Sequence, residues 1–190
     1  MSRAYRIRVK ESVTRDLAAS DEVCADLEIL EILPGDQMAD LLKKELEARG
    51  FEEGEDGKMV RTRDGVTVTV DPKAGEVTVR AEKSEHVELE TEKEGWGYDD
   101  VGPRQNQVRK QLSEQAKADL ERRADRQQER LQGEATERLE QVMGEVRKEL
   151  SDAVNGVTRE ALKQKAASMG QIKEMTEDPE AGSLTIKVEV

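Results

Sequence analysis

Residues 58–81 read KMVRTRDGVTVTVDPKAGEVTVRA. Apolar and polar side chains alternate through three short runs, Lys58–Arg63, Val66–Val70 and Glu76–Ala81. That is the period of a strand with one face buried and one in water. Two turns separate the runs. Asp64-Gly65 is a two-residue hairpin connection, because both central positions need positive φ. Asp71-Pro72-Lys73-Ala74-Gly75 is longer: proline fixes the φ of the second turn residue, and glycine supplies the positive φ that returns the chain to the sheet. With a fourth alternating run at His86–Thr91, residues 58–91 predict an antiparallel meander.

Toward the N-terminus, Tyr5, Ile7 and Val9 alternate with Arg6, Arg8 and Lys10, which predicts another half-buried strand. A second apolar stretch, Val23 to Leu33, suits a strand or the approach to a helix; a strand over Asp26–Leu33 is favoured. Pro34-Gly35-Asp36 then punctuates, with Asp36 as the expected N-cap. Met38, Ala39, Leu41, Leu42 and Leu46 recur at helical spacing, and Gly50 stands where a left-handed C′ residue ends a helix.

Toward the C-terminus, residues 95–103 read as a linker or strap holding the single tryptophan. No proline follows until Pro179, and Gln, Glu, Arg, Lys, Ala and Leu dominate from Arg104 to Lys173, so a long helix is expected. Its apolar positions divide it. Leu139, Met143, Val146, Leu150, Ala153 and Val157 step 4, 3, 4, 3, 4, a heptad seam. Val108, Leu112, Ala116, Leu120, Ala124, Leu131 and Ala135 form a thinner stripe that needs only a narrow partner, or none along part of its length. Asn155-Gly156 reads as a turn, with Thr158 capping a second helix over Arg159–Met169. The seam then packs on that helix or on another chain, where it offers a route to homo-oligomers. The D-P-x-A-G turn recurs at Asp178–Gly182 before a strand over Leu184–Val190. With Ile172–Met175 this predicts a C-terminal hairpin added to the N-terminal sheet.

The fold class is therefore α+β: a small, mostly antiparallel sheet with a packed helix, a long charged coiled-coil-like helical insertion, and a C-terminal hairpin. The expected divisions are a body at 1–103, a helical arm or helical hairpin at 104–169, and the hairpin at 170–190.

Bulk properties narrow the function. Among 190 residues, 39% are charged and only 2% are aromatic, so the core must be small and aliphatic. The net charge is −12, concentrated outside the arm: residues 104–169 hold 14 basic and 12 acidic side chains. Such a surface disfavours nucleic acid and anionic membrane at long range. No apolar run reaches the ~20 residues of a membrane span, and the opening residues lack an apolar leader. One cysteine fits a reducing compartment. A cytoplasmic protein is expected.

Catalysis has few candidates. His86, Glu88, Glu90 and Glu92 share one strand face and form the best metal-ligand set, but one histidine with carboxylates suits a solvated acidic face better than a structural or catalytic zinc site. Cys24, between Val23 and Ala25, reads as a buried small hydrophobe, without the basic neighbour a reactive thiol needs. Asp99-Asp100 is a carboxylate pair of a kind that 43 acids produce by chance. Gly95-x-Gly97 lacks the Lys-Ser/Thr of a phosphate loop. The expectation is a non-enzymatic protein with no cofactor and no metal. Two groups remain as interaction candidates. Trp96 and Tyr98 suit an aromatic anchor. Arg122, Arg123, Arg126 and Arg130 form the one basic cluster, an alternative route to nucleic acid or the ribosome, although interleaved Glu121, Asp125 and Glu129 favour ion pairs within the helix.

Three segments carry a resemblance: Met1 to Ser12 (MSRAYRIRVKES), Leu27 to Pro34 (LEILEILP) before a helix ending Ala48-Arg-Gly-Phe51, and Glu177 to Ile186 (EDPEAGSLTI). They resemble small accessory proteins encoded in bacterial gene clusters with MoxR-type AAA+ ATPases, von Willebrand A-domain proteins and FtsH-like proteins. The resemblance implies a bacterial, cytoplasmic, non-enzymatic component of an ATPase-linked assembly, with protein partners.

Overall fold

The structure, a computed structural model, describes residues 4–98, 104–178 and 183–189. The elements are β1 (Ala4–Asp26), α1 (Gly35–Glu47), β2 (Glu52–Glu53), a 3₁₀ turn (Glu55–Gly57), β3 (Met59–Arg63), β4 (Val66–Asp71), β5 (Glu76–Tyr98), α2 (Gln105–Met169), β6 (Gln171–Asp178) and β7 (Ser183–Glu189). One sheet has the order β1-β5-β4-β3-β2 and a second pairs β6 with β7. This is an α+β fold with a mostly antiparallel sheet, a long helix and a small C-terminal hairpin. The chain divides into two compact units. A mixed unit holds residues 22–81 and 138–190, and a ribbon unit holds residues 1–21 and 82–137.

In the mixed unit the meander forms as its turns dictate. Arg63 pairs with Val66 across Asp64 and Gly65, whose φ values of 52° and 77° make the tight hairpin. Asp71 Oδ1 accepts from the Lys73 and Ala74 N–H groups at 3.0 Å, and Gly75 N–H donates to the Asp71 carbonyl at 2.8 Å. The Ala74 N–H, with that of Lys73, holds the Asp71 carboxyl below its usual range.

Helix α1 starts one residue before the expected cap. Pro34 occupies the N-cap position without a side-chain bond, and Asp36 lies in the first turn. There its charge still favours the positive helix end. At the other end Phe51 N–H bonds the Leu46 carbonyl and Gly50 N–H bonds that of Glu47, with Gly50 at φ 81°. This is the Schellman closure that Gly50 announces.

The alternating Val66, Val68, Val70, Val77 and Val79 meet Met38, Leu42 and Leu46 of α1 in one core. Leu139, Val146, Leu150, Ala153 and Val157 of α2 belong to the same core. Each fully buried aliphatic side chain there contributes about 1.5–3 kcal/mol. The heptad seam is thus occupied within the chain, with Met143 half-buried at its margin.

Three expectations need correction. Residues 27–33 are not a strand. Leu27 N–H still bonds the Gly75 carbonyl at 2.6 Å, but the chain then leaves the sheet, and Leu27, Ile29, Ile32 and Leu33 pack irregularly against the core. Their apolar spacing suits packing, not a ladder. Next, Asn155-Gly156 is no turn; α2 runs unbroken through it. Ala153, Val157 and Ala161 continue one buried face at four-residue steps. That burial outweighs the roughly 1 kcal/mol that a helical glycine costs. Thr158 Oγ1 donates back to the Val154 carbonyl at 2.8 Å instead of capping. The Glu45 carboxylate end lies over Gly156, 2.6 Å from where a Cβ would stand. Finally, β6–β7 forms its own two-stranded sheet and does not extend the larger one.

The ribbon unit pairs the rest of β1 and β5 beside residues 105–137 of α2. Ion pairs Arg6–Glu94, Arg8–Glu92 and Lys10–Glu90 climb one strand while descending the other, so the strands run antiparallel. Ile7 and Val9 pack with Val108 and Leu112; Leu17 and Ala19 pack with Leu131 and Ala135. Ala116, Leu120 and Ala124 are also buried. The alanine-rich stripe does have a narrow partner, this two-stranded ribbon. Residues 95–98, expected in a strap, are instead the end of β5. Gly95 and Gly97 face the helix: a Cβ on Gly97 would lie 2.9 Å from Ile7 Cδ1 and 3.4 Å from Gln105 Cα. Helix side chains also satisfy the strand. Gln128 and Gln132 donate to the Ala18 and Ser20 carbonyls at 2.8 and 3.0 Å, and Ser113 and Thr136 donate to Glu11 and Asp21.

These contacts set a sign rule for glycine substitution. Gly133 and Gly144 have open space at the Cβ position. Gly133→Ala and Gly144→Ala should each stabilise by up to about 1 kcal/mol in urea unfolding. Gly97→Ala should destabilise, and a neutral result there would contradict the close approach of α2.

A second test uses Arg61 and Glu149 of the mixed unit. Their two-pronged ion pair has N···O distances of 2.5 and 2.6 Å, and the guanidinium stacks 4.4 Å from the Phe51 ring centroid. The hydrogen bonds from Arg61 hold the Glu149 carboxyl below its usual range. Its contribution to stability is therefore complete above the unfolded carboxyl value of about 4.3 and is lost as pH falls through the lower folded value. Glu149→Gln should flatten the stability profile in that acidic window.

Candidate interaction surfaces

The histidine and its neighbours are committed to ion pairs. On the ribbon, His86 Nδ1 lies 2.5 Å from Asp16 Oδ1, and Nε2 is 3.8 Å from Glu88. The hydrogen bond to Asp16 raises the imidazole above its ordinary value, with Glu88 adding to it. Glu90 pairs with Lys10 and Glu92 with Arg8. The strand periodicity does place His86, Glu88, Glu90 and Glu92 on one face, but β1 supplies that face with cations. No group of three or more possible metal ligands comes together among the described residues.

Cys24 is exposed, contrary to the buried position expected of it. Strand alternation turns it away from the side where Val23 and Ala25 face α2, and its Sγ lies 3.5 Å from Thr78 Oγ1. Asp99 and Asp100 lie outside the described residues.

The arginine cluster is also largely engaged, though with partners other than Glu121, Asp125 and Glu129. Arg122 pairs with Asp119; Arg130 pairs with Glu134 and Glu85. Arg123 donates to the Glu90 carbonyl at 3.4 Å, and Arg126 is exposed. The ribbon strands, invisible as partners in the helix sequence alone, supply two of these contacts.

Trp96 and Tyr98 occupy the opposite face of β5 from Gly95 and Gly97. They are 58% and 42% exposed, so each keeps a large part of its ring in solvent. Tyr5, 40% exposed, belongs to the same end of the ribbon. Only Phe51 among the four aromatic side chains is buried.

Two further surfaces lie in the mixed unit, and sequence reading did not find them. A groove of about 380 Å³ opens between the last residues of β1 and α2. Val23, Leu27, Val77, Met143, Leu150 and Val154 line it, with charged Asp26, Glu28 and Arg147. The hairpin supplies the other. Cross-strand pairs Ile172–Val188 and Met175–Ile186, with Leu184, put its apolar side chains on one face. None of the five is fully buried, and Met175 is 48% exposed. The opposite face carries the Lys173–Glu189 and Lys187–Glu174 ion pairs. No helix among the described residues is long and apolar enough to cross a membrane.

A family model described as FtsH ternary system domain X5 matches residues 1–190, and the chain belongs to that family. The match associates it with an FtsH-linked system, as an accessory component with protein partners. No curated protein and no solved structure matches the chain.

The His86–Asp16 contact has a direct readout. The imidazole should titrate above about 6.5 by NMR, and Asp16→Asn should bring it down. An unchanged midpoint in Asp16→Asn would contradict the pairing.

Proposed function

We propose that this protein is a non-enzymatic, cytoplasmic adaptor of an FtsH-linked bacterial system, contacting an AAA+ ATPase complex through the aromatic end of its ribbon. The observation that carries the reading is the placement of Trp96 and Tyr98. A chain with so few aromatics leaves these two in solvent on an open strand face, beside the Arg6–Glu94 ion pair. Tryptophan and tyrosine ringed by polar residues have the make-up of an interface anchor. The family match supports an accessory role alongside an FtsH-type ATPase. The heptad seam of Leu139–Val157, by contrast, is largely packed within the chain, with Met143, Val146 and Leu150 also lining the groove beside β1. The engagement of His86, Arg122 and Arg130 in ion pairs supports protein contact over metal chemistry or nucleic-acid binding.

The test is binding of the immobilised protein to the FtsH-family ATPase of its own host. Trp96→Ala with Tyr98→Ala should weaken binding by about 30-fold, the effect of losing roughly 2 kcal/mol of anchor contact. Replacing Arg122, Arg123 and Arg126 should leave it nearly unchanged. Equal binding by wild type and the aromatic double variant would overturn the reading.

A further inference from the structure

β1 is an edge strand of the larger sheet. In the ribbon unit that edge is blunted, because Gln128 and Gln132 of α2 donate to the Ala18 and Ser20 carbonyls. In the mixed unit it stays open. Leu27 N–H turns toward β5 to bond the Gly75 carbonyl at 2.6 Å. Backbone groups in an antiparallel ladder alternate sides from one residue to the next. The N–H and C=O groups of Cys24 and Asp26 therefore point away from β5, where the sheet has no further strand.

The groove between the end of β1 and α2 lies beside this edge. Val23, 38% exposed, stands on one wall, with Met143, Leu150 and Val154 on the other. A strand laid along the edge would turn every second side chain into the groove. Its backbone would pair with Cys24 and Asp26, the mode by which exposed sheet edges take up extended peptides.

Charge defines what that strand carries. Cys24 lies against Thr78 and Leu27 bonds Gly75, which puts Asp26 opposite Glu76. Glu76 in turn pairs with Asp71 of β4. Three carboxylates thus form one row across the sheet, on the face turned away from α2. Like charges directly opposite one another destabilise a sheet. Asp71 is relieved by the N–H groups of its own turn. Asp26 and Glu76 form no ion pair among the described residues. Glu28 adds a further carboxylate to the groove lining, whose cation, Arg147, belongs to the α2 wall.

We propose that this edge takes up an extended segment of a partner protein, with aliphatic residues at alternate positions and lysine or arginine between them. The aliphatic side chains enter the groove, and a basic side chain beside Asp26 offsets the carboxylate row. A second copy of this chain is a poor occupant, because the one cation of its alternating β7, Lys187, is already paired with Glu174. The contact is independent of the one proposed at Trp96 and Tyr98, which belong to the ribbon unit.

Fluorescence anisotropy of labelled octapeptides with the full chain tests it. A peptide alternating valine and lysine should bind saturably, and one alternating valine and glutamate about tenfold more weakly or worse. N-methylation of the central amides keeps every side chain but removes ladder donors, and should also weaken binding about tenfold. Val23→Asp should do the same to the valine–lysine peptide. Asp26→Lys, a change at an exposed position, should narrow the preference for lysine over glutamate about fivefold. Amide hydrogen exchange at Cys24 and Asp26 should slow when the peptide is added, and Trp96→Ala with Tyr98→Ala should leave its binding unchanged. No binding of the valine–lysine peptide, equal binding of its N-methylated form, or unaltered exchange at Cys24 and Asp26 would each overturn the proposal.

Discussion

Burial of the apolar stripe of α2 is the contact on which both units depend. In the mixed unit the stripe is broad, with Leu139, Val146, Leu150 and Val157, and it helps to close a core against α1 and the valine-rich strands. In the ribbon unit it narrows to Ala116, Ala124 and Ala135 with scattered leucines, and a two-stranded ribbon suffices to cover it. Neither partner is self-sufficient. A ribbon of two strands is marginal without a cover, and α1 is too short to cover the sheet alone. Small side chains set the approach: alanine on the helix, and Gly95 and Gly97 on β5. The glutamines that donate to the Ala18 and Ser20 carbonyls satisfy part of the exposed β1 edge.

The local signals in the sequence were readable wherever one residue type has a single physical use. Asp64-Gly65, Asp71–Gly75 and Gly50 each demand a backbone conformation and obtain it. The periodic faces of α1 and α2 were equally plain. The length of β1 and β5 was not. Between Glu11 and Asp16, and in the stretches of β5 on either side of His86–Thr91, polar side chains hide the alternation. Their strand character depends on cross-strand ion pairs and on cover from a helix far away in sequence. Asn155-Gly156 misleads for the converse reason. Its local preference for a turn is outweighed by burial of Ala153, Val157 and Ala161 on either side. The groove and the open hairpin face were out of reach because each depends on which strands fail to pair.

The distribution of charge bears on function. The residues with most chemical potential are tied up: His86 with Asp16, Glu90 and Glu92 with basic residues of β1, and Arg122 and Arg130 with nearby carboxylates. Exposed ion pairs of this kind contribute little stability individually. They do neutralise the ribbon face locally, which lowers the desolvation cost of a protein partner settling on it. Among the described residues, apolar surface left open includes Trp96 and Tyr98, the groove beside β1, and one face of β6–β7. That pattern, together with membership of the FtsH ternary system domain X5 family, supports a role built on protein contacts.

Helix α2 is continuous, and its seam packs inside the chain, leaving other surfaces for partners. The most direct measurement is the distance between spin labels at Glu140 and Lys165, with Cys24 replaced by serine. A continuous helix separates these positions by 25 residues, and should give a single distribution near ~37 Å. A helical hairpin folded at Asn155-Gly156 would bring them to about 15 Å, and that result would contradict the account.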